Sequence, residues 1–161
     1  KYIFLYFYYK MQKEKAVLSD FNQVVYIDYK KVIDNRCLVI FDDYKLDHPN
    51  IDYEKMCQYM IDIFTSAIKE SRSRQCEDFV ILCYLNPKRK NSINFKSLVQ
   101  ILTIMKSLFK DALNKCVFVN SNKFFKITFN LILPLLDNKL KRKIKFSTLE
   151  EIKLQITNLK E

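Results

Sequence analysis

His48 is the only histidine of the chain, and Cys37, Cys57, Cys76, Cys83 and Cys116 are its only thiols. A catalytic triad or a zinc centre would have to be built on these residues. His48 lies in Asp47-His48-Pro49-Asn50, a polar turn with no second histidine or cysteine close by. It therefore lacks the companions of a zinc site, and a relay role has no support around it. The cysteines are odd in number and contain no C-x-x-C pair. They read as free thiols of a reducing compartment, mostly small buried apolar residues, and a cytoplasmic location is the expectation.

The chain contains no glycine. A P-loop and a dinucleotide fingerprint both need glycine where backbone approaches phosphate, and a G-x-S-x-G elbow needs it by definition. All three are excluded, and left-handed turn positions must fall to Asn or Asp. No acid–base pair or nucleophile stands out. The expectation is binding without catalysis, with no cofactor and no metal.

Charge supplies the clearest candidate surface. Residues 1–80 carry 12 Lys+Arg against 13 Asp+Glu, whereas residues 81–161 carry 16 against 5, and the whole chain has a net charge of +10. The densest cluster is Lys139, Lys141, Arg142, Lys143 and Lys145, and a second is Lys88-Arg89-Lys90. Each basic side chain close to an anionic leaflet contributes about 1 kcal/mol. An acidic protein face would attract the same cluster. Nucleic acid is not expected, because the aromatic residues occupy core-like positions and a stacking platform needs them exposed.

The elements that must position these residues follow from periodicity. A length of 161 residues, with 49% hydrophobic and 29% charged, suits one globular domain. Residues 1–20 read as an N-terminal extension and 21–161 as the domain. The apolar run Tyr2–Tyr9 is far shorter than the roughly 20 residues of a bilayer span. Val24–Asp28 and Leu38–Phe41 form a strand pair turned at Asp34-Asn35. Tyr53, Met56, Cys57, Met60, Phe64 and Ile68 mark a helix over 51–68, followed by a polar loop to Asp78. Phe79–Tyr84 and Cys116–Val119 are strands buried on both faces. A helix capped by Asn91 or Ser92 runs to about Leu113. Ser121 can cap another through Phe124, Phe125, Thr128, Leu131 and Ile132, which Pro134 ends or kinks. Ile144–Phe146 is a short strand, and Ser147 with Glu150 has capping-box spacing for a last helix. The alternation predicts an α/β fold with a mainly parallel central sheet of about five strands and flanking helices.

The stretch Asn114-Lys115-Cys116-Val117-Phe118-Val119-Asn120-Ser121, then Phe124-Phe125, Leu133-Pro134-Leu135-Leu136-Asp137 and Arg142-Lys143-Ile144 resembles the C-terminal half of CRAL-TRIO domains. Asn35-Arg36-Cys37-Leu38-Val39 is similar to the G-R-P-V sequence with which that family begins its sheet. The similarity spans roughly residues 23–158. Tyr53–Tyr59, Asp78–Tyr84, Asn94–Leu113 and Ser147–Ile152 look closest to the BCH branch, found in Rho-GTPase-activating proteins. The departures are Asn35 and Cys37 for the glycine and proline, and Ser121-Asn122 where the family has a proline.

The resemblance implies a non-catalytic binding module. Its partners would be an anionic lipid or membrane surface, a Rho-type small GTPase or its regulator, or a second copy of the chain. The alternative is a phosphatidylinositol-type transfer protein enclosing a hydrophobic ligand. In those proteins an acidic residue, a threonine and the lysine of the Lys-Ile pair meet the headgroup; the matching positions are Asp111, Leu140 and Lys143. Asn120 matches the Asn or His that ends the third strand. The candidate contacts are thus Asp111, Asn120, Lys139, Lys141, Arg142, Lys143 and Lys145, at a cytoplasmic or peripheral membrane location.

Overall fold

A computed structural model describes residues 21–45, 52–88 and 95–159. The polar turn around His48, the caps Asn91 and Ser92, Arg89-Lys90 and the extension 1–20 lie outside them.

The chain starts its sheet with a hairpin. Strands β1 (Val25–Ile33) and β2 (Arg36–Asp42) pair antiparallel from Val25 opposite Phe41 to Ile33 opposite Arg36. Asp34 and Asn35 turn the chain at φ of 52° and 63°. A two-residue hairpin loop of type I′ needs both central residues left-handed to match strand twist. Without glycine, Asp and Asn take these positions, since their short polar side chains tolerate them best.

From β2 onward the sheet is parallel. β2 pairs with β3 (Phe79–Tyr84), β3 with β4 (Leu113–Val119) and β4 with β5 (Ile144–Ser147). A short β6 (Thr157–Asn158) returns antiparallel to β1, giving the order β5-β4-β3-β2-β1-β6. The described sheet therefore has six strands rather than about five. Each parallel step moves one strand in the same direction. Right-handed crossovers then put every connecting helix on one face.

Those helices are α1 (Tyr53–Ser73), α2 (Phe95–Ile104), α3 (Lys123–Ile132) and the short α4 (Asn138–Lys143), and α5 (Leu149–Gln155) follows β5. Met56, Met60 and Phe64 of α1 and Phe125 and Phe129 of α3 join Val39, Ile81 and Phe118 in the main core. The opposite sheet face, with Leu38, Leu82 and Val117, packs against Ile152 of α5. Burial on both faces explains why β3 reads as an unbroken apolar run.

Several boundaries differ from the sequence expectation. α1 continues through the predicted loop to Ser73. Ser71 is fully buried, and its hydroxyl accepts the Cys37 N–H at 2.9 Å, which anchors the extra turn. α2 ends at Ile104 and passes into a π-helical turn, Met105–Phe109, so β4 begins at Leu113 instead of Cys116. Asn122 rather than Ser121 caps α3, its side chain accepting the Phe125 N–H at 2.8 Å. The final capping box is Thr148 with Glu151, one residue beyond the predicted pair. Helix α4 was not expected at all.

Candidate functional site

The basic cluster is carried by α4. Asp137 starts this helix by accepting the Leu140 N–H at 2.8 Å. Leu140 is fully buried, while Lys139 and Arg142 face solvent. One buried position thus holds a ring of cations at the surface. Lys145 follows on β5, where strand alternation turns it to the sheet face opposite Ile144.

Three of the seven candidate residues come together. Lys139 forms an ion pair with Asp111. Its hydrogen bond holds the Asp111 carboxyl below the usual carboxylate range. Lys143 lies beside them and donates to the main-chain carbonyls of Lys110, at 2.7 Å, and Leu113. Burial, then the charge of Lys139, lowers the Lys143 ammonium from its ordinary value. Its donors are directed at backbone, so Lys143 clasps the start of β4. Asn120 does not join this group. It sits at the other end of β4 in a left-handed conformation, φ 60°, where the chain leaves the sheet.

Beneath α4, between the sheet and the helices, lies an apolar cavity of about 40 Å³. Leu140 and Ile144 wall one side; Phe41 and Phe118 of the sheet and Met60 and Met105 of the helical layer line others. One water needs roughly 10–15 Å³ of such space, whereas a pocket for a whole small molecule runs to about 300 Å³ or more. The cavity accommodates a few atoms, and a lipid tail would require the helices to move apart. Leu140 stands where the resembled transfer proteins place a threonine, and here that side chain faces the apolar interior.

Sequence reasoning missed a second surface. α3 buries Phe125, Phe129 and Ile132 but leaves Phe124, Ile127 and Leu131 exposed at 57%, 62% and 67%. The spacing continues through Leu135, 55% exposed, in the turn after α3. Lys106 donates to the Leu135 carbonyl at 3.3 Å, which brings the π-helical turn and its half-exposed Leu108 to the same region. Lys123 and Lys126 are exposed on α3, and no Asp or Glu occurs from Ala112 to Leu136. The helical spacing of these side chains makes an apolar ridge edged by cations rather than scattered single residues. The available signal was a helix with two apolar stripes instead of one. The exposed Phe124, Tyr29 and Tyr44 also correct the expectation that the aromatic residues are core. Among the described residues no helix is long and apolar enough to cross a membrane.

Comparison with known proteins agrees with this architecture. The family model described as CRAL/TRIO domain matches residues 19–158. No curated protein sequence matches the chain. Among solved structures, the crystal structure of Sfh5 superposes with a TM-score of 0.65 at 12% identity, covering 80% of this chain and 50% of that one. The chain thus spans about half the length of Sfh5, and at that identity the likeness speaks for the fold. With the family model covering nearly the whole sheet-and-helix body, the chain belongs to the CRAL/TRIO domain family, a family of lipid-binding modules.

Proposed function

We propose that residues 21–161 form a lipid-binding module without a reaction of its own, acting from the cytoplasm at the surface of an anionic bilayer. The observation that carries this reading is the exposed ridge Phe124-Ile127-Leu131-Leu135 with Lys123 and Lys126 at its edge. Fully burying one such apolar side chain is worth about 1.5–3 kcal/mol, and each nearby lysine adds about 1 kcal/mol against anionic lipid. Lys139, Lys141, Arg142 and Lys145 supply further cations for headgroups or for an acidic partner. Asp111, Lys143 and Asn120 complete the proposed contacts.

Co-sedimentation with vesicles tests this. Binding to phosphatidylcholine mixed with phosphatidylserine, weakening between about 0.1 M and about 1 M salt, is the expected outcome. Absence of binding to these vesicles at about 0.1 M salt overturns it.

A second reading follows from the small cavity of about 40 Å³, since a filled interior suits protein contacts. In this reading the chain is a BCH-type scaffold for a Rho-type small GTPase or its regulator, or for a second copy of itself. Complex formation with a nucleotide-loaded Rho GTPase on a sizing column, without vesicle binding, selects it. A lipid retained in native mass spectrometry of the purified protein selects instead the phosphatidylinositol-type transfer alternative.

A further inference from the structure

The apolar cavity has a lining that lipid binding does not require. Cys83 of β3 and Cys116 of β4 both face it, with their sulfurs 3.9 Å apart, and Met60 of α1 and Met105 of the π-helical turn face it as well. All four residues are buried. Among the described residues the cavity lining contains no charged, hydroxyl, amide or imidazole side chain. A π-helical turn is rare and recurs at functional sites; here it carries Met105 to the cavity.

The two thiols are poorly placed for a disulfide. Cys116 stands opposite Ile81 and Cys83 opposite Phe118, a stagger of two residues on neighbouring strands. With about 3.3 Å per residue and about 4.8 Å between strands, their Cα atoms are about 8 Å apart, beyond the roughly 7 Å that a disulfide spans. A single atom between the sulfurs fits better. Thiolate–metal bonds of roughly 2.3 Å bridge a 3.9 Å separation readily.

We propose that Cys83, Cys116, Met60 and Met105 form a binding site for one soft monovalent metal ion of the copper(I) class. Thiolate and thioether donors select such ions, whereas harder ions want oxygen or imidazole. Among the described residues no group of three or more His, Cys, Asp or Glu is placed to hold a metal, so no harder site competes. A monovalent ion is balanced by a single thiolate. The metal–sulfur bond forms as one S–H bond breaks, and the proton leaves to solvent. The product is a neutral metal–thiolate unit that an apolar interior accepts without the cost of a buried net charge. The second thiol and the thioethers donate lone pairs as neutral groups. This proposal is independent of the membrane reading, since it concerns the interior alone.

The test titrates the full chain with silver(I), a redox-inert probe. It then uses copper(I) without oxygen, against the chromophoric chelator bicinchoninate. The expected result is one ion bound per chain, with one proton released in unbuffered solution and a sulfur-only X-ray absorption signature for copper. Cys83→Ser and Cys116→Ser should each weaken binding by at least about 100-fold, the upper end of the cost of losing a merely supporting group. Met60→Leu and Met105→Leu preserve volume and fold, and each should weaken binding by about 10-fold. Cys76→Ser, at the half-exposed thiol, should leave affinity unchanged. The proposal is overturned if the folded chain takes up no ion, or if Cys76→Ser abolishes uptake. It is equally overturned if uptake survives in all four site variants, or if nitrogen or oxygen ligands dominate the spectrum.

Discussion

The Lys143 ammonium lies 2.7 Å from the main-chain carbonyl of Lys110 and also donates to that of Leu113. The last residue of α4 is thereby tied to the segment that leads from the π-helical turn into β4. Lys143→Met should lower stability by about 1 kcal/mol. That is the scale of an ordinary hydrogen bond rather than of a buried ion, because the group is largely solvated. The urea midpoint measures this loss. An unchanged midpoint would return Lys143 to a role in ligand contact alone.

The α3 ridge gives a prediction that separates surface from core. Ile127→Glu and Leu131→Glu place charge on side chains exposed at 62% and 67%. Thermal stability should stay close to that of the parent chain, whereas binding to phosphatidylserine vesicles should fall at least about tenfold, the equivalent of about 1.4 kcal/mol. Loss of vesicle binding together with loss of fold would place these residues in the core instead.

Leu140 makes the opposite case. It is fully buried against the cavity beneath α4. Leu140→Ala should cost about 2–5 kcal/mol, read as a lowered urea midpoint, although every lysine of the cluster remains present.

The last helix has an acid-sensitive start. Thr148 accepts the Glu151 N–H at 3.3 Å, and the Glu151 carboxylate accepts the Thr148 N–H at 2.9 Å and the Ser147 hydroxyl at 2.6 Å. These bonds, the Ser147 hydroxyl first, lower the Glu151 carboxyl from 4.5. A depressed carboxyl stabilises the fold fully above its unfolded value. That contribution disappears as pH falls through the lower folded value. Stability measured from neutral pH downward should therefore drop below about pH 4.5 in the parent chain, and Glu151→Gln should remove this part of the drop. Thr148→Ala should cost about 1 kcal/mol at neutral pH.

Backbone strain offers a stabilising change. Gln75 follows α1 at φ 63°, where a non-glycine residue with a β-carbon is disfavoured. Gln75→Gly should raise the urea midpoint by about 0.5–1 kcal/mol of stability. An Asn at this turn, as at Asn35, should give a smaller gain of the same sign.

Much of this molecule was legible residue by residue. β3 and most of β4 show as apolar runs because both faces of a parallel strand are covered, so no polar residue interrupts them. The Asp34-Asn35 turn was legible because backbone sterics leave few residues for left-handed positions. The Lys-rich half was a matter of counting. Errors of one residue at the caps of α3 and α5 arose because Ser121 and Asn122, or Ser147 and Thr148, are chemically equivalent as caps. Only the direction in which the chain arrives from the sheet chooses between them.

Other features depend on segments far apart in the chain. Nothing within Asn138–Lys143 demands a helix; Leu140 finds its buried place only when β4 and β5 are paired beside it. α3 carries two apolar stripes of equal merit, and the sheet can cover one, so packing alone selected Phe125 and Phe129 for the core and left Ile127 and Leu131 outside. Met60, Cys83, Met105 and Cys116 stand on four different elements and line one cavity because parallel pairing and one-sided crossovers bring those elements around it. Local chemistry could specify strands, turns and charge because each rests on neighbours in the chain. The ridge, the cavity and the group formed by Asp111, Lys139 and Lys143 rest on neighbours in space, which the order of residues does not display.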